Sequence, residues 1–119
     1  MKLHGMFWWI DRWRKSTAFT DFTLEEQGAY RNLLEEAWLR GGGIPDDPRV
    51  LARASGDVTR WPKVKAKVMR RFHMNDGHWH HETIDELIAQ VRRNANRQRE
   101  HRDKVTPLSR VTKGGSVNR

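Results

Sequence analysis

Residues 22–38 read Phe-Thr-Leu-Glu-Glu-Gln-Gly-Ala-Tyr-Arg-Asn-Leu-Leu-Glu-Glu-Ala-Trp, and the rest of the chain is organised around them. Thr23 followed three residues later by Glu26 is a capping box, in which each side chain satisfies the other residue's backbone N–H. Phe22 stands before the cap, placed to staple against Gln27 or a neighbour one turn on. Glu25 and Glu26 in the first turn suit the helix dipole. Leu24, Ala29, Leu33, Leu34, Ala37 and Trp38 form the expected buried stripe of an amphipathic helix, with Tyr30 and Arg31 facing out. Gly28 costs about 1 kcal/mol against Ala in a helix interior, which points to the close approach of another backbone. Gly41, Gly42 and Gly43 then stop the helix. They do not make a phosphate loop, because no Lys-Ser/Thr and no helix start follow directly.

Upstream, residues 7–10 form a short apolar run of strand or extended character. Residues 11–21 read as an extended segment and loop that lay aromatic rings on the core. Trp8, Trp9 and Trp13 are either core groups or base-stacking platforms. Downstream, Ile44 and Pro45 are extended, and a second, two-turn helix starts with Asp47 as N-cap and Pro48 at its first position. Val50, Leu51 and Ala54 face inward, and Ser55, Gly56 and Asp57 end it. A third helix is expected with Thr59 as cap and Pro62 in the first turn. Its core stripe is Trp61, Val64, Val68 and Phe72, and Lys63, Lys65, Lys67, Arg70 and Arg71 cover the rest.

A short helix, a Gly-containing turn and a basic helix make a helix-turn-helix arrangement. Asp76 and Gly77 lie between two alternating arms, the signal of a β-hairpin, and a hairpin after the basic helix makes a winged helix. A fourth helical stretch runs from Glu82 to about Arg102, with Ile84, Leu87, Ile88 and Val91 as its apolar stripe. Beyond Val91 the sequence is polar all round: a projecting helix, a disordered arm, or a segment ordered by a partner. The composition of residues 105–119 is that of a loose tail. The expected fold is mainly α with a small β-hairpin wing. Residues 1–91 form a winged-helix-like domain that includes the aromatic N-terminal segment, and residues 92–119 form a basic projecting helix and flexible tail.

Hydrophobic residues are 36% of the 119 and charged residues 32%, so the core is small and leans on six Trp and four Phe. With no Cys there is no disulfide framework and no Cys-based zinc site. No apolar run reaches the roughly 20 residues needed to span a bilayer. The first residues lack the apolar region of a signal peptide. A cytoplasmic protein with no membrane partner is the expectation. The net charge of +8 is unevenly spread. Residues 23–60 carry five basic and seven acidic side chains, residues 61–81 five and one, and residues 82–119 nine and five. A basic back half suits a polyanion, or else a solvated surface with a basic tail.

Lys63, Lys65, Lys67, Arg70 and Arg71 are the candidate DNA contacts, since the third helix of a winged helix enters the major groove. Arg92, Arg93 and Arg97, with Arg99 and Arg102, extend the electrostatic footprint or solubilise the tail. His73, His78, His80 and His81 gather around the wing. His78 and His80 share a face, so a metal pair is conceivable, but no Cys or carboxylate sits at a ligand-motif spacing. Glu25 and Glu26 are explained by capping, Glu35 and Glu36 by a solvated flank. Nothing supplies a nucleophile with its base and orienter, so no enzyme and no cofactor are expected.

These residues together resemble the YdaU-like family, a domain of unknown function found in phage and prophage proteins, often near replication genes. The resemblance spans about residues 7–102 and rests on Asp11, Trp13, the run EEQGAY from Glu25 to Tyr30, Leu33, Leu34, Trp38, the run IPDD from Ile44 to Asp47, Ala52, Arg53, Trp61, Phe72, Asp76 and Gly77. It implies a winged-helix-like fold and a role in phage DNA replication initiation or its regulation, in a bacterial host. One departure is His80-His81-Glu82, where relatives often carry Asn-Lys/Arg after the wing. Larger relatives carry a second region after the basic stretch, and a loader or helicase contact housed there would be missing from this chain. The alternative function is a protein-interaction adaptor docking on a replisome or host factor. A metal-dependent nuclease is a third class.

Overall fold

The computed structural model describes the backbone of residues 10–113 and the side chains of residues 10–102. The readings of residues 7–9, including Trp8 and Trp9, lie outside the described residues.

The capping box forms as read: Thr23 N donates to Glu26 Oε1 at 2.8 Å and Glu26 N to Thr23 Oγ1 at 3.2 Å. It starts helix α3, Leu24–Leu39, preceded by two single-turn helices, α1 (Ile10–Arg14) and α2 (Thr17–Asp21). These replace the expected extended segment. Ser16 makes the difference, capping α2 by accepting from Phe19 N at 3.2 Å. Gln27 does sit under the Phe22 side of the cap, but through its amide: Nε2 donates to the carbonyls of Phe19 and Phe22 at 3.0 and 3.2 Å.

After α3 come β1 (Ile44–Pro45), α4 (Pro48–Ala54), α5 (Trp61–Met69), β2 (His73–Asn75), β3 (His78–His80) and α6 (Glu82–Lys113). The strands form an antiparallel sheet in the order β1-β3-β2, with Ile44 paired to Trp79 and Met74 to Trp79 from the other side. Asp76 and Gly77 carry φ of 54° and 74°, the two positive values that a two-residue type I′ hairpin demands. Gly43 is required for a different reason: a Cβ there would stand 2.8 Å from His78 Cβ and 2.9 Å from His80 Nε2. Asp47 and Pro48 start α4 as expected. For α5, Arg60 rather than Thr59 is the N-cap, with no side-chain bond, because Trp61 already donates to the Asp57 carbonyl.

The unit that ends at Ile88 holds the core. Leu33 and Ala37 are sealed at 0% exposure, with Leu34, Trp38, Trp61, Val64, Val68, Phe72, Ile84 and Ile88 around them. Trp13 is buried and stacks on Tyr30 at 5.9 Å between ring centroids, so this Trp is a core group. Two assignments on α3 are corrected. Tyr30 does not face out: it is 6% exposed, meeting Phe22 and Phe72 edge to face. Leu24 is not in the buried stripe but 84% exposed, since it precedes Ala29 by five residues and falls on another face. Val91 is likewise exposed, and the apolar stripe of α6 ends at Ile88.

Gly28 corrects a third expectation. Among the described residues, and apart from its own helix, no heavy atom lies within 4 Å of where its Cβ would be, so no other described backbone approaches it. Its φ is ordinary for a helix. Gly28→Ala is therefore expected to raise the unfolding free energy by about 1 kcal/mol, read in urea denaturation. An unchanged or lower midpoint would contradict this packing.

In the second unit, from Ala89 on, the described residues are the remainder of α6. Its backbone is helical through Lys113, past the point where a loose tail was expected from residue 105. Among the described residues, no helix is long and apolar enough to cross a membrane.

Candidate nucleic-acid interface

Helix α5 presents Trp61, Val64 and Val68 to the core. At 3.6 residues per turn, Lys63, Ala66 and Arg70 then fall on the opposite side, at spacings of three and four. All three are exposed, as is Lys65 on the flank. Among the described residues, no acidic group faces Lys63, Lys65 or Arg70. The small Ala66 between two long cations leaves the centre of this face low.

Lys67 and Arg71 are differently placed. Lys67 Nζ donates to the Asp21 carbonyl at 2.9 Å and lies 3.3 Å from Glu26 Oε1. Arg71 donates from Nη1 to Thr17 Oγ1 at 2.6 Å and sits 3.9 Å from Asp21 Oδ2. Both cations lie over the Phe22 ring, at 5.6 and 5.2 Å. They tie α5 to the α2–α3 junction. The Glu26 carboxyl is held below its ordinary value, first by the Thr23 backbone N–H, with Lys67 adding to it against the opposing effect of burial.

Arg92, Arg93 and Arg97 lie on α6 in the second unit and are exposed, as is Arg99. Arg93 and Arg97 are four residues apart, a like-charge pair on one face of the helix. Two further cations were missed as candidates. Arg49 and Arg53 on α4 are exposed, with no acidic group facing them among the described residues. Neither stands in a cluster of basic residues, which is the pattern that draws attention to α5.

The wing histidines are used internally. His80 Nδ1 lies 3.1 Å from Asp85 Oδ2, and the His73 ring stacks on it at 5.9 Å. His78 Nδ1 is 3.0 Å from the Asp76 carbonyl. His78 and His80 do share a face, and that face lies against Gly43. Among the described residues, no group of three potential ligands is arranged to hold a metal.

His81, read in the sequence only as one of the histidines around the wing, is a buried ionisable group. It is 9% exposed, packed on Phe72 and Tyr30. Thr83 N donates to His81 Nδ1 at 3.2 Å, so His81 caps α6. A backbone N–H can only donate, so the neutral ring carries its proton on Nε2 and gives it to Tyr30 Oη at 2.6 Å. Burial pushes the His81 pKa down to about 4. Asp85 works against that shift, while His73, Arg12 and Arg71 add to it. Burial also pushes the Tyr30 hydroxyl up.

A family model described as Protein of unknown function (DUF1376) matches residues 6–89. The chain belongs to the DUF1376 family. The family region takes in α5, the wing and the His81–Tyr30 contact, and it stops before Arg92, Arg93 and Arg97. No curated protein and no solved structure matches the chain.

Proposed function

We propose that this DUF1376 domain is a winged-helix module that binds DNA through its phosphate backbone and carries no catalytic centre. The order helix, strand, helix, helix, hairpin, with the first strand beside the last, supports the winged-helix reading. The observation that carries the function is the outward face of α5, where Lys63 and Arg70 flank Ala66 with no acid opposite among the described residues. Cations left unneutralised on one helix face are the electrostatic footprint of a polyanion site. The arginines from Arg92 onward would add sequence-independent contacts. The resemblance to phage and prophage proteins supports a setting in a bacterial cytoplasm, at DNA replication initiation or its regulation.

The test is a salt series of fluorescence anisotropy against labelled duplex DNA, single-stranded DNA and RNA. Binding is expected at low salt, with log affinity falling linearly as log salt rises and a slope of about −0.9 for each phosphate neutralised on duplex. No binding to any of the three at low salt would remove this reading. A protein captured from a host lysate in that case would favour the adaptor.

A further inference from the structure

From Phe72 to Val91 the sequence holds no Lys and no Arg, while Asp76, Glu82, Asp85 and Glu86 are all acidic. This stretch makes β2, β3 and the first turns of α6, so the hairpin that follows the basic helix has no Lys or Arg to set against a phosphate. Its tip is Asn75, Asp76 and Gly77, all exposed, and among the described residues Asp76 has no cation beside it. The polar side chains of the strands are turned to the chain itself. Trp79 Nε1 donates to Asp46 Oδ1 at 3.1 Å, His80 Nδ1 lies 3.1 Å from Asp85 Oδ2, and the His73 ring stacks on His80. A phosphate brought to the tip meets a carboxylate and no counter-charge.

Helix α4 is the reverse case. Arg49 and Arg53 stand two residues to either side of the buried Leu51, which puts both on the opposite side of the helix from it. Both are exposed, and being four residues apart they repel each other. Asp46 and Asp47, the nearest acids in sequence, accept from Trp79 Nε1 and from the Arg49 backbone N–H. Helices α4 and α5 lie against one stripe of α3. Asn32 Nδ2 donates to the Ser55 carbonyl at the end of α4, and Gly28, Ala29 and Asn32 share a cleft with Gly56, Trp61 and Val64. The outer sides of the two helices, with Arg49 and Arg53 on one and Lys63 and Arg70 on the other, therefore turn away from α3 together. In a helix-turn-helix the first helix crosses the DNA backbone while the second enters the groove. A guanidinium fork matches phosphate oxygens in geometry as well as charge. Resting on the reading of α5 as the DNA face, we infer that duplex DNA is gripped from one side only: Arg49 and Arg53 of α4 take the phosphates that flank the groove, and the wing stands clear of the DNA and braces the fold.

Fluorescence anisotropy of the full chain on labelled duplex DNA over a salt series tests it. Replacing Arg49 and Arg53 by Ala should weaken binding about 10-fold near physiological salt and reduce the salt slope by about 2. The urea midpoint should hold or rise, because a repelling pair is removed. Replacing the same two residues by Lys should keep the slope, since each phosphate still meets a charge. Asn75→Lys, which sets a cation at the exposed wing tip, should leave affinity and slope unchanged. An Ala double variant with wild-type affinity and slope would overturn the α4 anchor. A slope steeper by about 1 in Asn75→Lys would overturn the stand-off of the wing. Replacing Lys63, Lys65 and Arg70 by Ala separates the two levels. Loss of binding there, with none from Arg49 and Arg53, removes only the α4 assignment. No duplex binding by the wild-type chain removes the α5 reading and this one with it.

Discussion

Lowering the pH from 6.5 to 4 is expected to remove about 3 kcal/mol of folding stability through His81 alone. Above pH 6.5 the ring is neutral in both the folded and the unfolded chain, and the full stability is present. Between 6.5 and about 4 the unfolded chain takes up a proton that the folded chain refuses. Stability then falls by about 1.4 kcal/mol per pH unit. Below about 4 both states are protonated and the loss is complete. The refusal has a structural cause. A proton on Nδ1 would point at the Thr83 N–H, uncapping α6, and would place a charge against the Phe72 and Tyr30 rings. A drop of this size is a large part of a typical domain's stability. Urea denaturation across this range measures it. His81→Asn keeps an acceptor for the Thr83 N–H and cannot titrate. It should be less stable at pH 7 but show a flattened slope between pH 6.5 and 5. A wild-type stability that is level over that interval would refute the assignment. Glu26 adds a separate loss at lower pH, since its depressed carboxyl must also be protonated there.

The second large effect separates cations of similar appearance. Replacing Lys63, Lys65 and Arg70 by Ala is expected to weaken duplex DNA binding by about 100-fold near physiological salt and to reduce the salt slope by about 3. Unfolding free energy should move by no more than about 0.5 kcal/mol, because these side chains are exposed and unpaired among the described residues. Replacing Lys67 and Arg71 should do the reverse. Their bonds to Asp21 and Thr17 and their contacts with the Phe22 ring are lost, at about 1–2 kcal/mol of stability. Anisotropy and urea melts on both variants decide the matter. Equal loss of binding from the two, with no loss of stability, would mean that Lys67 and Arg71 also face the DNA.

The same pair marks where sequence reading stops. Helical spacing placed Val64, Val68 and the basic residues of α5 correctly, because periodicity is a local property. It gave no hint that Lys67 reaches a carbonyl 46 residues upstream, because that contact exists only once α2 is folded beside α5. Tyr30 is a different kind of miss. Its spacing to Leu33 and Leu34 already put it on the buried side. What allows its hydroxyl to be buried is His81, which lies 51 residues away. Leu24 went wrong through counting hydrophobicity instead of angle. The hairpin, the α4 cap and the α3 capping box were legible because each is specified within four residues.

Pro45 gives the small sheet one more property. It sits on β1, which flanks the sheet on one side, and it has no N–H to offer an incoming strand. The opposite flank, β2, is only three residues long. A peptide seeking to add a strand finds a missing donor on one side and too short a ladder on the other. The wing should therefore resist templated growth into fibrils, even when the protein is concentrated.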